Sequence, residues 1–216
     1  FIMGRTIRMI AKQVAEILLN VGAVEISPEK KFTWASGIQS PIYCDNRLTM
    51  ADPKGRIVIA KGLAEVIRTN YPDATVIAGT ATAGIPHAAW IAAELELPMV
   101  YVRSEPKGHG QGRQIEGKFE EGDRAVIIED LISTGGSSLK AAEAAEREGL
   151  AVEGVVSITT YGLNKADEQF AEKGLTYHSL TDFETLIEVA REQGAIDESS
   201  IEGLLAWHTQ LKEGTL

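Results

Sequence analysis

The chain has little of several things. It holds one cysteine, Cys44, in 216 residues. A lone thiol cannot close an intrachain disulfide or build a multi-cysteine metal site, so a reducing, cytoplasmic setting is expected. No run approaches the ~18 apolar residues that a membrane helix needs, so no membrane role is expected. The stretch from Phe1 to Arg8 has no basic segment leading into a long apolar one, so no secretory signal is expected either. Phe1 and Ile2, ahead of Met3, read as an appendage to the fold. Positive charge is scarce: 21 Lys and Arg stand against 31 Asp and Glu, for a net charge of −10. Such a chain is a poor general binder of nucleic acid, and a polyanionic substrate would require positive charge gathered in one place. Repeats, low-complexity tracts and Pro/Gly/Ser-rich linkers are missing too, and the length suits one domain over residues 1–216.

What is present alternates. Ile7, Ile10, Val14, Ile17, Leu18 and Val21 have helical spacing that stops at Gly22. Residues 32–46 mix Gly37, Pro41 and alternating aromatic or β-branched residues, the mark of a small strand-rich segment. Beyond it, apolar runs at 75–78, 99–102, 125–128, 152–159 and 177–180 predict buried strands. Helical patterns at 57–70, 85–95, 137–148, 166–173, 183–192 and 199–211 lie between and after them, while 103–118 shows no periodicity. Strands alternating with helices predict an α/β fold, a parallel β-sheet flanked by helices. Ligands of such sheets sit beyond the carboxyl ends of the strands, which directs attention to the segments after Ala78, Val102 and Ile128.

The segment after Ile128 carries the most chemistry. A strand runs into Glu129 and Asp130, then through Leu131, Ile132, Ser133, Thr134, Gly135 and Gly136 to Ser137 and Ser138, where a helix begins. Small residues expose successive backbone N–H groups, and a helix N-terminus adds partial positive charge, so the turn suits a phosphate. Adjacent carboxylates suit the vicinal hydroxyls of a ribose. The same residues would also serve as a plain helix start after an acidic strand end. No Lys follows the second glycine, so this is not a nucleotide P-loop.

The second segment supplies the concentrated charge. Arg103, Lys107, His109 and Arg113 fall within eleven residues, separated by Gly108, Gly110 and Gly112. A basic, glycine-rich loop suits a leaving group whose negative charge grows in the transition state, although a solvated surface loop has the same composition. The third, Ala78 to Pro86, is a small-residue turn between strand and helix, where backbone amides and Thr80 or Thr82 are the available donors. The fourth runs from Phe32 to Arg47, with Trp34 and Tyr43 open to either packing or ligand contact. His87, His178 and His208 read as packed histidines, and Cys44 as a small buried residue.

The segment 126–138 resembles the motif by which type I phosphoribosyltransferases bind phosphoribosyl pyrophosphate (PRPP), and the spacing Arg103–Lys107–His109–Gly110 is similar to the catalytic loop of the orotate enzymes in that family. Phe32 to Arg47 looks like their amino-terminal hood. The resemblance implies the type I phosphoribosyltransferase fold with a small N-terminal hood over about residues 1–50. It implies transfer of ribose 5-phosphate from PRPP to orotate, giving orotidine 5-phosphate and pyrophosphate on the way to UMP. By that likeness Glu129 and Asp130 hold the ribose, Thr134 to Ser137 hold the 5-phosphate, and Ser133 meets orotate. Arg103, Lys107 and His109 form the catalytic set, working on PRPP across a homodimer interface. Mg²⁺ is the implied cofactor, held mainly through PRPP. Many relatives carry lysine where Ala83 stands, and some where Ala35 stands, so those contacts are not carried over, and Arg47 becomes a candidate partner for the orotate carboxylate. A phosphoribosyltransferase for another base would share 126–138 but not 103–113 or the hood. A non-catalytic PRPP sensor would keep Glu129 and Asp130 without needing Lys107 or His109.

Overall fold

The structure, a computed structural model, describes residues 2–108 and 112–216. In chain order the elements are α1 (Ile2–Asn20), β1 (Val24–Ile26), β2 (Phe32–Thr33), β3 (Gln39–Ser40), β4 (Ile42–Cys44), a 3₁₀ turn (Asn46–Ala51) and α2 (Pro53–Asn70). Next come β5 (Val76–Thr80), α3 (Gly84–Leu95), β6 (Met99–Val102), β7 (Ile115–Glu116), β8 (Arg124–Ile132), α4 (Gly136–Arg147) and β9 (Ala151–Thr160). The chain ends with α5 (Asn164–Glu172), β10 (Thr176–Asp182), α6 (Phe183–Glu192), a 3₁₀ turn (Glu198–Ser200) and α7 (Ile201–Glu213).

Six strands form the central sheet in the order β10-β9-β8-β5-β6-β7, parallel throughout except for β7, which pairs antiparallel with β6. All five residues of β5 are buried, as are Ala125 to Glu129 of β8. Strands covered on both faces read as continuous apolar runs instead of alternating ones, which is why 75–78 and 125–128 stood out in the sequence. From β5 the chain moves to β6 on one side, and from β8 it moves to β9 on the other. Right-handed crossovers therefore put α3 and α4 on opposite faces. The gap between the carboxyl ends of β5 and β8 is the topological switch point, the place where such sheets bind ligands.

Two small antiparallel pairs stand apart from this sheet, β1 with β4 and β2 with β3, both within residues 24–44. Trp34 anchors them to the body. Its Nε1 donates to Ile42 O at 3.0 Å, and its ring packs on Tyr161 (5.2 Å) and edge-on to Trp207 of α7 (5.9 Å). Trp207 Nε1 in turn donates to Gln39 O at 3.1 Å. Trp34 is thus a packing residue, whereas Tyr43 is exposed beside Phe32.

Several boundaries differ from the sequence pattern. β8 continues four residues past Ile128, because pairing with β9 carries on from Glu129 opposite Ser157 to Ile132 opposite Thr160. Glu129 and Asp130 therefore lie within the strand. Residues 115–116 form β7, too short for any periodicity to reveal. α1 already includes Ile2, which the sequence had set apart from the fold. Among the described residues no helix is long and apolar enough to cross a membrane.

Candidate functional site

Two glycines show how tightly the switch point is drawn together. A Cβ on Gly84, the first residue of α3, would lie 2.4 Å from Ile128 O and 2.6 Å from Thr80 Oγ1. No larger residue lets α3 start so close to β8. Gly135, just before α4, has φ +85°, and a Cβ there would lie 2.7 Å from the Phe170 ring. Its left-handed backbone turns the chain from strand into helix, as glycine permits. Neither α3 nor α4 has a side-chain cap at its N-terminus, in contrast to α2 and α6, capped by Asp52 and Asp182. No side chain occupies these two helix starts, and although Ile85 N donates to Thr82 O at 3.2 Å, a phosphate is a natural partner for N–H groups at such a terminus.

Around this point lies a cavity of about 340 Å³ whose lining includes Thr80, Ala81, Arg103, Gly136, Ser137 and Lys140. Three of the four sequence segments thus converge: the turn after β5, the start of the basic loop, and the turn into α4. The Ala81–Thr82 peptide in the first of these is cis.

The acidic pair divides by environment. Glu129 is 6% exposed. Its Oε1 accepts from the Thr80 hydroxyl, which also lies 2.9 Å from Ile128 O, and its Oε2 accepts from Ser138 Oγ at 3.0 Å. Burial pushes its carboxyl above the usual range; the Thr80 hydroxyl opposes that push, and neighbouring Asp130 adds to it. Asp130 is half-buried; burial raises its carboxyl as well, while the backbone N–H of Leu131 and the charge of Arg47 pull it down. Its carbonyl accepts from Asn46 Nδ2 at 3.0 Å, and the same nitrogen lies 2.9 Å from Thr159 Oγ1. Buried Asn46 thereby fastens the segment after β4 across the ends of β8 and β9. Next to it, Asp45 grips Arg47 through Nε (2.7 Å) and Nη2 (3.0 Å). Cys44 donates to Asn46 Oδ1 at 3.2 Å, and burial first, then the charge of Asp130, push its thiol up to about 12, so it stays protonated and is no nucleophile.

The basic loop is closed at its base by backbone pairs. Arg103 N donates to Gln114 O at 2.8 Å, Gln114 Nε2 returns a bond to Arg103 O at 2.8 Å, and Lys107 N reaches Arg113 O at 3.1 Å. Arg103 Nη1 lies 3.4 Å from Glu116, and Arg113 Nε 3.7 Å from Glu148. Arg103 lines the cavity; Lys107 is exposed and is not among its lining residues. His109 lies outside the described residues. Ser133 is half-buried and Thr134 exposed at the β8–α4 turn.

The structure adds two residues to those read from the sequence, Lys140 and Asn46. Lys140 lines the cavity from one turn beyond Ser137, a position that helical spacing would have flagged as the same face. Asn46 gave no such signal, since its partners lie at Asp130 and Thr159, while Ser138, a candidate hydroxyl donor in the sequence, is engaged with Glu129. Thr80, a candidate ligand donor in the sequence, is instead engaged with Glu129 and Ile128. His87 is 1% exposed and His208 is buried with Nε2 2.7 Å from Tyr161 O, both packed. Among the described residues no three His, Cys, Asp or Glu side chains gather as a metal cage. Two adjacent carboxylates fit a hard cation that arrives on a phosphorylated substrate and keeps most of its oxygen ligands there.

Comparison with known proteins agrees with this architecture. Residues 49–185 match the model of the phosphoribosyl transferase domain. An orotate phosphoribosyltransferase of Enterococcus faecalis is 57% identical over 198 residues, covering 92% of this chain and 94% of that one. The crystal structure of an orotate phosphoribosyltransferase from Aeropyrum pernix superposes with a TM-score of 0.74 at 31% identity, over 85% of this chain and 99% of that one. The UMP synthase of Leishmania donovani superposes with a TM-score of 0.80 at 29% identity; the match covers 93% of this chain but only 42% of that longer protein.

Proposed function

The chain belongs to the orotate branch of the phosphoribosyltransferases, and we propose that the switch-point cleft between β5 and β8 is where it transfers ribose 5-phosphate from PRPP to orotate. The observation that carries this assignment is one cavity lined by the end of β5 (Thr80, Ala81), the uncapped start of α4 (Gly136, Ser137) and Arg103, with the acidic end of β8 tied to it through the Thr80–Glu129 contact.

Each part has a role in the reaction. The backbone amides of Thr134 to Ser137, following Leu131 and Ile132, take the 5-phosphate. Asp130, with Glu129 beside it, accepts from the ribose hydroxyls, and Ser133 meets the orotate ring. The ring nitrogen of orotate forms the new bond to the anomeric carbon as the bond to pyrophosphate breaks, through an oxocarbenium-like state. The protein contributes alignment and charge instead of covalent chemistry. Arg103 and Lys140 stand beside the departing pyrophosphate, and Lys107 and His109 reach it when the loop closes. Glu129 and Asp130 would lie beside a Mg²⁺ ion carried in on PRPP, which would supply part of the neutralisation of the phosphate charge.

The loop acts across a homodimer, each 103–113 segment serving the neighbour's cleft, and the whole chain works as one catalytic domain with residues 1–50 as its hood. A single thiol supports a cytoplasmic location. The direct test is orotate consumption by the purified protein. It should require both PRPP and Mg²⁺, with adenine, hypoxanthine and uracil as poor substrates. Faster turnover of adenine than of orotate would overturn the base assignment.

A further inference from the structure

The two phosphate-binding turns belong to different crossovers on opposite faces of the sheet, and nothing in their local sequence ties one to the other. One buried side chain does. Glu129 receives the Thr80 hydroxyl from the end of β5 on one carboxylate oxygen and the Ser138 hydroxyl from the first turn of α4 on the other. Thr80, Glu129 and Ser138 are all buried, at 5%, 6% and 2% exposure. The contact is thus a through-structure link shielded from water, where hydrogen bonds to a charged group hold their strength. Gly84 reinforces it, because only a missing Cβ allows α3 to start against Thr80 and Ile128.

We propose that Thr80, Glu129 and Ser138 form a strut that fixes the spacing between the turn after β5 and the turn into α4, with Thr80 and Ser138 as positioning residues for PRPP. The proposal rests on the PRPP reading above. PRPP carries a phosphate at C5 and a pyrophosphate at C1, so it must satisfy both turns at once. A free phosphate ester or free pyrophosphate needs only one of them. The strut matters for the spanning ligand because it removes the cost of bringing the two turns into register on binding. Two hydroxyls leave lone-pair sites on Glu129, so the strut is compatible with its accepting from a ribose hydroxyl as well.

Calorimetric titration with PRPP and Mg²⁺, and separately with pyrophosphate and with ribose 5-phosphate, tests this without any base present. Thr80→Val keeps the shape and deletes the hydroxyl; Ser138→Ala deletes the other. Each should weaken PRPP binding about tenfold, the loss of one hydrogen bond to a charged group, while changing binding of either fragment by less than about twofold. Thr80→Ser and Ser138→Thr keep the hydroxyl and should restore PRPP affinity. Thermal melts accompany every variant. Equal weakening of PRPP and of both fragments, or lowered melting with PRPP affinity unchanged, would reduce the three residues to ordinary packing and overturn the proposal. Failure of the base assignment would be visible separately, as PRPP binding without orotate turnover.

Discussion

The two segments that flank the cleft are built in opposite ways. The acidic turn, residues 129–138, grows from a buried central strand and is tied to buried partners at its start: the Glu129 carboxylate to Thr80 and Ser138, the Asp130 carbonyl to Asn46. The basic loop grows from β6 near the sheet edge and is zipped by backbone pairs, and its described charges lie near or in solvent, with Lys107 exposed and Arg103 drawn to Glu116. Under the proposed function the difference follows the reaction coordinate. Groups that bind the ribose and 5-phosphate would meet charge present from the start and profit from being preformed. Groups that answer the pyrophosphate would meet charge that grows only as the bond breaks, and need not be preformed. Ground-state binding and transition-state stabilisation would then fall to separate parts of the chain.

The largest effect that would break this contrast comes from the loop. Lys107→Ala should leave PRPP affinity largely intact and lower kcat by about 10²–10³, the cost of losing one donor to developing charge. Steady-state kinetics beside PRPP calorimetry separates the two; a rise in Kd with kcat unchanged would make Lys107 a ground-state ligand like the acidic turn.

Asp130→Asn should do the reverse. It keeps the shape but loses the charge, and PRPP binding should weaken by about one to two powers of ten. Unchanged affinity would remove Asp130 from the site. The two variants together sharpen the contrast in space. If the loop serves the partner's cleft, random exchange of Lys107→Ala and Asp130→Asn subunits makes half the dimers hybrids, each with one intact site. About a quarter of normal activity should then return under closed two-fold symmetry. Exchange without recovery would confine each loop to its own subunit.

The sequence made the acidic turn legible because its signals are local: an apolar run, two carboxylates, small residues and a helix start lie in thirteen consecutive positions. The central sheet was legible for the same reason, since fully buried strands are continuous apolar runs. Non-local features were not. The extension of β8 to Ile132 depends on pairing with β9, and β7 exists only because it pairs with β6. Asn46 looks like any loop asparagine until Asp130 and Thr159 are brought beside it, and Thr80 looks like a ligand donor until Glu129 occupies it. Trp34 was open between packing and ligand contact, and the tie-breaker, Trp207, lies 173 residues away.

The remaining effect concerns acid and stability, not turnover, and it falls on the buried side of the contrast. His87 sits in the first turn of α3, behind the turn after β5, at 1% exposure. Its ring stands edge-on to Trp90 at 5.5 Å, and Nδ1 has no hydrogen-bond partner among the described residues. Burial depresses its pKa from the usual 6.5 to about 4. A base whose folded pKa is depressed contributes stability that is present above the unfolded value and is lost as pH falls through the folded one. The window is therefore pH 6.5 down to 4, and the loss across it is of order 2–4 kcal/mol. Glu129 and Asp130 act with the opposite sign, because their raised carboxyls make protonation favour the folded state. The net pH profile of the wild type mixes the two, so the informative quantity is a difference. His87→Leu removes the titration and the unpartnered nitrogen while keeping an apolar side chain. Urea unfolding from pH 7.5 to 4 should show the variant gaining on the wild type as pH falls, with the gap opening below about 6.5. A gap constant across that range would mean that His87 keeps its ordinary protonation in the folded chain, and that acid acts on the protein elsewhere.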